Sequence, residues 1–401
     1  MKKSITIIGG GPSALMLAAQ LDEQKFDVTI YERNAALGRK FLVAGDGGFN
    51  LTHSEEIKQF ITRYTPSSFF ENSITAFSST DLRNWLNTIG IETFIGSSKR
   101  VFPIKGIKPI DVLNAILNVL KKKNVKIKTQ YIWKGWKNDE LIFVHTSPSG
   151  EKQVNVKSDI VVFALGGASW KVTGSDGTWS NSFADQEIKI IPFQPSNCAF
   201  EIKWKKEFLE MAEGKSLKNI SLTCDDLEKK GELIITKFGL EGGAIYALSP
   251  AIRKQFKKYK TAQVFVDLKP SFTVTEIKNK INNKGNRSLS KQLEDELNLN
   301  NIQLALLKTI LTKEEFINPE TLSEKIKKLP LTIVSTAPID DAISTVGGIA
   351  LTAIDSNFQL KNMPNNYVIG EMLDWDTPTG GYLLQGCFSM GHYVANHLNS
   401  L

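Results

Sequence analysis

The sequence predicts an α/β fold in which the two ends of the chain build one Rossmann-like domain and a β-rich piece is inserted between them. Three observations carry this reading. Lys3 to Ala14 reads as an apolar strand, a glycine turn and a helix start. Asp159 to Gly167 is an apolar run ending in two glycines, as a strand buried on both faces of a parallel sheet requires. Tyr367 to Asp374, followed by Thr379-Gly380-Gly381-Tyr382, repeats the pattern of strand, glycine and helix near the C-terminus.

Gly9, Gly11 and Ala14 fit the G-x-G-x-x-G/A dinucleotide fingerprint. Gly9 makes the tight turn, Gly11 lets a pyrophosphate approach the backbone, and Ala14 lets the helix pack close to its strand. Pro12 and Ser13 open the helix, whose first N–H groups and dipole favour a phosphate. Leu15, Leu17, Ala18 and Leu21 then recur at helical spacing. A second strand, Phe26 to Tyr31, ends in Glu32, about 20 residues past the turn, where a carboxylate accepts hydrogen bonds from a ribose. The turn alone suits either NAD or FAD. Arg33, Gly38, Arg39 and Lys40 follow. Arg39 and Lys40 could neutralise a diphosphate, and suit a solvated loop equally well. Gly45, Asp46, Gly47, Gly48, Asn50 and Leu51 fall in a stretch dense in glycine, as expected of backbone pressed against a ligand.

Length and composition bound the rest. A chain of 401 residues, 41% hydrophobic and 23% charged, fits a globular protein of two or three domains. The net charge of +7 permits an acidic ligand such as a dinucleotide or RNA without requiring one. Three scattered cysteines, Cys198, Cys224 and Cys387, form no C-x-x-C. A disulfide framework, a zinc site and a redox-active dithiol are therefore not expected. No stretch approaches the roughly 18 apolar residues of a membrane span, and the expected location is the cytoplasm.

Residues 54–100 read as mainly helical, with Phe60, Phe69, Phe70, Phe77, Leu82, Trp85 and Leu86 as core. A helix follows Lys108-Pro109, with Asp111 as its expected N-cap. Val125 to Thr129 reads as a strand. Trp133 to Val144 and Gln153 to Val156 read as antiparallel strands around a turn near Pro148-Ser149-Gly150. Thr173 to Gly177 continues an edge loop that leads into a helix over 181–187. Short alternating strands over 196–270 indicate the β-rich insertion, and 274–328 carries helical spacing. Lys203 to Lys206 and Arg253 to Lys260 mix basic and aromatic residues. They fit a solvated face better than a nucleic-acid surface. Ser344 to Ala350 reads as another glycine turn.

The motifs Gly38-Arg39-Lys40, Gly48-Phe49-Asn50-Leu51-Thr52, Arg100-Val101-Phe102-Pro103, Ala164-Leu165-Gly166-Gly167-Ala168-Ser169, Gly231-Glu232-Leu233, Gly347-Gly348 and Gly370-Glu371-Met372-Leu373-Asp374 occur in this order. Together they resemble the BaiN/YhiN-type flavoproteins, the aminoacetone oxidase family of FAD-binding enzymes, and the chain looks like a distinct subgroup of them. The resemblance implies FAD as the dinucleotide. It also implies a two-part FAD domain over 1–190 and 342–401, an inserted β-barrel-like domain over 191–273 and 329–341, and a helical subdomain over 274–328. Gly48-Phe49 stands where many members carry Arg-Cys, and Lys171 where a proline is common.

On this reading Gly9 to Ala14 and Glu32 hold the ADP half of the cofactor. Gly45 to Leu51, Ala164, Leu165, Gly166, Gly370, Glu371, and the helix start at Gly380, Gly381, Tyr382 and Leu383 line its flavin half. Asp374 is either a ligand to the ribityl hydroxyls or a cap on the next turn. Catalytic candidates are thin: His53 for proton transfer, and Tyr382 near the flavin ring. No metal cluster or Ser/His/Asp set stands out. The expected activity is an FAD-dependent oxidoreductase acting on a small molecule. NAD(P)H would be at most a transient donor, because a second complete fingerprint is missing. A tRNA-modifying flavoenzyme and a flavin sensor without turnover are the alternatives.

Overall fold

The computed structural model describes residues 1–43, 49–283 and 287–401. The chain divides into two units, Met1–Pro195 with Ile339–Leu401, and Ser196–Pro338. The first unit is built on a five-stranded parallel sheet. Its order is Asn366–Val368, Ile160–Phe163, Lys3–Ile8, Phe26–Glu32 and Lys126–Thr129. Register brings Ile8 beside both Phe163 and Tyr31, and Phe163 beside Val368. The strands therefore end level, and Gly9, Ala164, Ile369 and Glu32 emerge along one edge. The reason is the patterning. Ile160–Phe163 is buried throughout, and Ile5, Ile7 and Ile8 are each no more than 2% exposed, so neither face of the sheet meets water at these two central strands.

The first helix, Pro12–Gln20, is buried from Ser13 to Ala19, because the last helix, Tyr382–Ser400, covers it. Gly391 makes the crossing close: a Cβ there would lie 2.4 Å from the Ser13 carbonyl oxygen. Three short helices, Ile57–Ile61, Ser67–Ala76 and Ser79–Thr88, occupy the segment read as helical. Phe60, Phe70, Phe77, Leu82 and Leu86 are buried, while Phe69 and Trp85 are half-buried against the core.

Several local expectations are corrected. The helix expected from Asp111 spans Pro109–Lys122 with Lys108 as N-cap. Proline starts it, and Asp111, in the first turn, accepts the Lys108 N–H at 2.7 Å. The Trp133 to Val144 reading is two strands, Tyr131–Lys137 and Glu140–Ser147. Asn138 (φ 49°) and Asp139 (φ 61°) turn left-handed between them, which is the backbone a two-residue hairpin of matching twist needs. Ser344–Ile349 is a strand beside Ile190–Ser196. Its glycines serve close backbone approach: a Cβ on Gly348 would lie 2.2 Å from the Met372 carbonyl oxygen.

The second unit carries a seven-stranded sheet in the order Leu329–Ile333, Ala262–Asp267, Ser216–Cys224, Leu227–Ile235, Gly239–Glu241, Phe200–Glu201, Ser335–Thr336. Its pairs are antiparallel. The two end strands, Leu329–Ile333 and Ser335–Thr336, follow one another in the chain. Among the described residues, five helices between Val274 and Lys327 lie in the connection from Ala262–Asp267 to Leu329–Ile333. Of the two basic-aromatic stretches, Trp204 is engaged inside the unit, donating its indole N–H to the Gly239 carbonyl and packing on Phe208.

Substituting Gly391 by alanine forces a methyl group into the Ser13 backbone. We expect a loss of about 1–3 kcal/mol of unfolding free energy in denaturant titration, whereas an unchanged midpoint would show that the helices are free to part there.

Candidate functional site

A cavity of about 450 Å3 lies along the carboxyl edge of the parallel sheet. Ligands bind at this edge in open α/β folds. Its floor is the turn Gly9 to Ser13. Gly9 is left-handed (φ 103°), and a Cβ on it would lie 2.3 Å from the Ala164 carbonyl oxygen. Gly11 differs: nothing lies within 4 Å of where its Cβ would be. It is also the N-cap of the first helix and supplies no side-chain hydrogen bond to the first turn. The helix thus presents uncapped N–H groups to the open side of the cavity, as a pyrophosphate site requires. This open cradle is the observation on which the residues present fit FAD.

Glu32 is 7% exposed and ties the turn to the second strand. Its Oε2 accepts the Gly10 N–H at 2.8 Å, and its Oε1 accepts the Asn34 N–H and side-chain amide, each at 2.8 Å. A carboxylate has about four lone-pair sites, so one direction remains for a ribose hydroxyl. Arg33 donates to Asp176 at 2.7 Å. Burial works to raise the Asp176 carboxyl, but the hydrogen bonds from Arg33 and Thr178 outweigh it and hold the pKa below the ordinary value. Arg39 donates to Asn34 at 3.0 Å. Lys40 donates to Ser169 Oγ at 2.9 Å and to Glu371 Oε2 at 3.0 Å. Glu371 Oε1 accepts the Thr345 N–H at 3.1 Å. The Lys40–Glu371 pair therefore fastens the loop after the second strand to the segment after the last one.

The cavity wall brings together Gly9, Gly11, Pro12, Ser13, Glu32, Arg33, Gly38, Arg39, Lys40, Ala164, Leu165, Gly166, Gly370 and Glu371. Ala14 is fully buried beneath it. Gly45, Asp46, Gly47 and Gly48 lie outside the described residues. Asn50, Leu51, Asp374, Gly380, Gly381, Tyr382 and Leu383 are not part of the wall. Leu51 is buried and donates its N–H to Val101, and Asp374 Oδ1 accepts the Gly347 N–H at 3.0 Å. The sequence reading did not single out Tyr131, Trp133, Trp179, Ser182 or Cys387, which also line the cavity. The strand Tyr131–Lys137 leaves the sheet's edge directly after Lys126–Thr129, beside Glu32, and that adjacency is the signal that could have found its residues. Cys387 came into view only through the helix crossing. Burial pushes its thiol up to about 12, so it is a neutral wall.

His53 and Tyr382 lie together, stacked at 5.2 Å between ring centroids, in a cluster at the start of the last helix. Glu55 receives Arg63 through two hydrogen bonds, 3.0 and 2.6 Å, and the Tyr382 hydroxyl at 2.6 Å. Burial opposes ionisation of Glu55, but these bonds prevail and hold it below the ordinary value. Burial, then the bond to Glu55, raises the Tyr382 hydroxyl well above its ordinary pKa. His53 accepts the Glu55 N–H at Nδ1, 3.2 Å, which leaves Nε2 to donate to the Ser98 carbonyl at 3.2 Å. Burial lowers its pKa against the pull of Glu55. Both nitrogens are engaged, so His53 is a neutral structural imidazole in this arrangement. Among the described residues no group of three or more acidic, His or Cys side chains is placed to hold a metal. No described helix is long and apolar enough to cross a membrane.

Residues 3–397 match the HI0933-like protein Rossmann domain family. The chain is 24% identical, over 97% of its length and 97% of the other, to a 3-dehydro-bile acid delta(4,6)-reductase of Clostridium scindens. It is also 24% identical to a ribosomal RNA dihydrouridine synthase of Haemophilus influenzae, over 97% and 96% of the two lengths. The fold is shared with a 3-ketosteroid-delta4-(5alpha)-dehydrogenase from Rhodococcus jostii RHA1, at a TM-score of 0.52 and 11% identity over 98% of this chain and 97% of that one.

Two predictions follow from the site's geometry. Gly11 has room for a side chain and an extended backbone, so Gly11→Val should leave the thermal midpoint of the apoprotein unchanged while filling the cradle. Flavin retained per chain after gel filtration should fall at least tenfold, and full retention would place the pyrophosphate elsewhere. The second concerns acid. His53 and His392 are held below their ordinary value, His392 by burial. They stay neutral when folded while the unfolded chain takes up protons below about pH 6.5. Glu55 and Asp176 add a further loss below about pH 4, as their unfolded forms protonate first. Unfolding free energy should therefore decline steadily on acidification, and a flat profile from pH 7 to 5 would contradict the neutral histidines.

Proposed function

The chain belongs to the HI0933-like protein Rossmann domain family and is an FAD-dependent oxidoreductase; we propose that it reduces an activated carbon–carbon double bond in a small molecule, drawing its electrons from NAD(P)H. The match over residues 3–397 and the open cradle at Gly11 support the flavin, and the names of two relatives support the double bond. One relative is named a delta(4,6)-reductase and the other a dihydrouridine synthase, and both names suit addition of two hydrogens across a double bond.

When bound, FAD supplies a two-electron carrier of hydride. The chain supplies the rest. The turn Gly9 to Ser13 and the uncapped helix hold the pyrophosphate, and Glu32 accepts from the ribose. Lys40 and Glu371 form a polar part of the wall with their charges matched to each other, and Lys40 also donates to the buried Ser169. Gly380 to Leu383 lie outside the cavity wall, but they open the last helix without a side-chain cap, and its first N–H groups suit a polarised oxygen. In the net reaction one alkene carbon gains a hydride and the other a proton, and NAD(P)H is oxidised.

A second reading, reduction of a base in RNA, is favoured by the second relative's name. A groove of about 640 Å3 in the second unit adds to it, lined by Lys218, Lys230, Lys269 and Phe272. Lysines beside an aromatic ring suit a nucleotide backbone and base.

Anaerobic mixing of the FAD-loaded protein with NADH and, separately, NADPH should bleach the flavin band. Addition of a 4-ene-3-oxo steroid or another conjugated enone should restore it. Bleaching with neither nicotinamide would remove NAD(P)H from the proposal, and failure of every enone to restore colour would remove the double bond. Salt-sensitive retention of an rRNA transcript, lost when Lys218 and Lys230 are changed to glutamate, would favour the RNA reading.

A further inference from the structure

We propose that Arg100 and the start of the last helix form a subsite for a negatively polarised oxygen, a carboxylate or a conjugated carbonyl, belonging to the substrate or to the flavin itself. This rests on the FAD reading above and adds a residue to it.

Arg100 begins the strand Arg100–Pro103 and pairs in register with His53. It is half-buried, and among the described residues its guanidinium has no hydrogen-bond or ion-pair partner. Its surroundings explain why. Its register partner, His53, is neutral with both nitrogens engaged. The nearby acid, Glu55, is taken by Arg63 in two hydrogen bonds and by Tyr382. The cluster thus holds one cation more than its acids answer. A planar guanidinium left half-buried without an anion forgoes two parallel hydrogen bonds.

The last helix opens at the same place. A Cβ on Gly380 would lie 3.6 Å from Arg100 Nε. Gly381, left-handed at φ 96°, caps a helix of 19 residues without any side-chain bond to its first turn. Thr52 abuts that cap, its Cα 2.6 Å from where a Gly381 Cβ would be. Thr52 is fully buried, and its Oγ1 has no partner. The side-chain amide nitrogen of Asn50, two residues earlier, is likewise buried without a partner. Unsatisfied buried polar atoms are rare in folded chains. Here two of them accompany an unpaired arginine and an uncapped helix start. Three of the four features are donors with no acceptor, and a hydroxyl can donate too. Arg100 and the helix start, which meet at Gly380, would both be answered by one negatively polarised oxygen.

The test uses the FAD-loaded protein and acetate and benzoate as probes, with chloride holding ionic strength constant. In one arm, the flavin difference spectrum and the thermal midpoint are followed against probe concentration for wild type, Arg100→Met and Arg100→Lys. In the other, the midpoint potential of the bound flavin is measured for the same three proteins. If the oxygen is the substrate's, carboxylates bind saturably to wild type, at least tenfold more weakly to Arg100→Met, and with intermediate strength to Arg100→Lys, at unchanged potential. If it is the flavin's, the potential falls in Arg100→Met, is largely restored in Arg100→Lys, and carboxylates have no effect. Neither response, in proteins that retain flavin, overturns the subsite. Should Arg100→Met not fold, Arg100→Lys and the wild-type titrations decide alone. If no flavin is held at all, the cofactor reading fails instead, and the thermal response to carboxylate still judges Arg100.

Discussion

The close crossing of the last helix over the first is the constraint on which the rest of the first unit depends. With Gly391 against the Ser13 carbonyl, the C-terminal segment lies directly on the fingerprint helix. Gly370, Glu371 and Cys387 then become walls of a cavity whose floor lies some 360 residues earlier in sequence, at the turn Gly9 to Ser13. A bulkier residue at the crossing would move these walls together, because protein interiors transmit displacement rather than absorb it. The Lys40–Glu371 bond repeats the same linkage with charge. It ties the loop after the second strand to the loop after the last.

Three of the cations at the site are answered by acids. Arg33 answers Asp176, Lys40 answers Glu371, and Arg63 answers Glu55. Such matching fixes geometry more than it adds stability. Arg39 lacks a counter-ion but donates to Asn34, whereas Arg100 has neither hydrogen bond nor ion pair among the described residues and marks a place where the chain has left something for a ligand to complete. The turn Gly9 to Ser13 shows the same incompleteness in its backbone, since the first helix begins without a side-chain cap.

What could be read from the sequence follows from the range of the forces involved. The strand Ile160–Phe163 was legible because a strand buried on both faces must be continuously apolar, and Lys3–Ile8 and Phe26–Glu32 because their apolar residues flank the glycine turn at strand spacing. The turn and Glu32 were legible because their spacing is local. The Asn138-Asp139 hairpin was missed because neither residue is glycine, although both tolerate left-handed backbone. Ser344–Ile349 was misread because a glycine pair signals close approach as well as a turn, and only the neighbouring backbone, the strand at Pro192 and the short 3-10 turn at Met372, tells which. The side chains around Tyr382 were beyond reach. Tyr382 meets Glu55 across more than 300 residues, and nothing local in either segment announces the other. His53 was noticed as a residue type suited to proton transfer, but its engaged nitrogens are a fact of tertiary structure alone.

The insertion of a contiguous unit between two strands of one sheet has a temporal side. During synthesis, Ser196–Pro338 emerges whole and has its own sheet and helices with which to collapse. The parallel sheet cannot do likewise. Its Ile160–Phe163 strand must wait, with one edge open, for Asn366–Val368 to leave the ribosome. The helix that covers Pro12–Gln20 is made later still. An unpaired strand edge and an uncovered apolar helix persist through translation of the whole insertion, and both are hazards for aggregation. The cavity is complete only once Gly370, Glu371 and Cys387 have joined the turn Gly9 to Ser13, so its walls are among the last parts of this unit to be assembled.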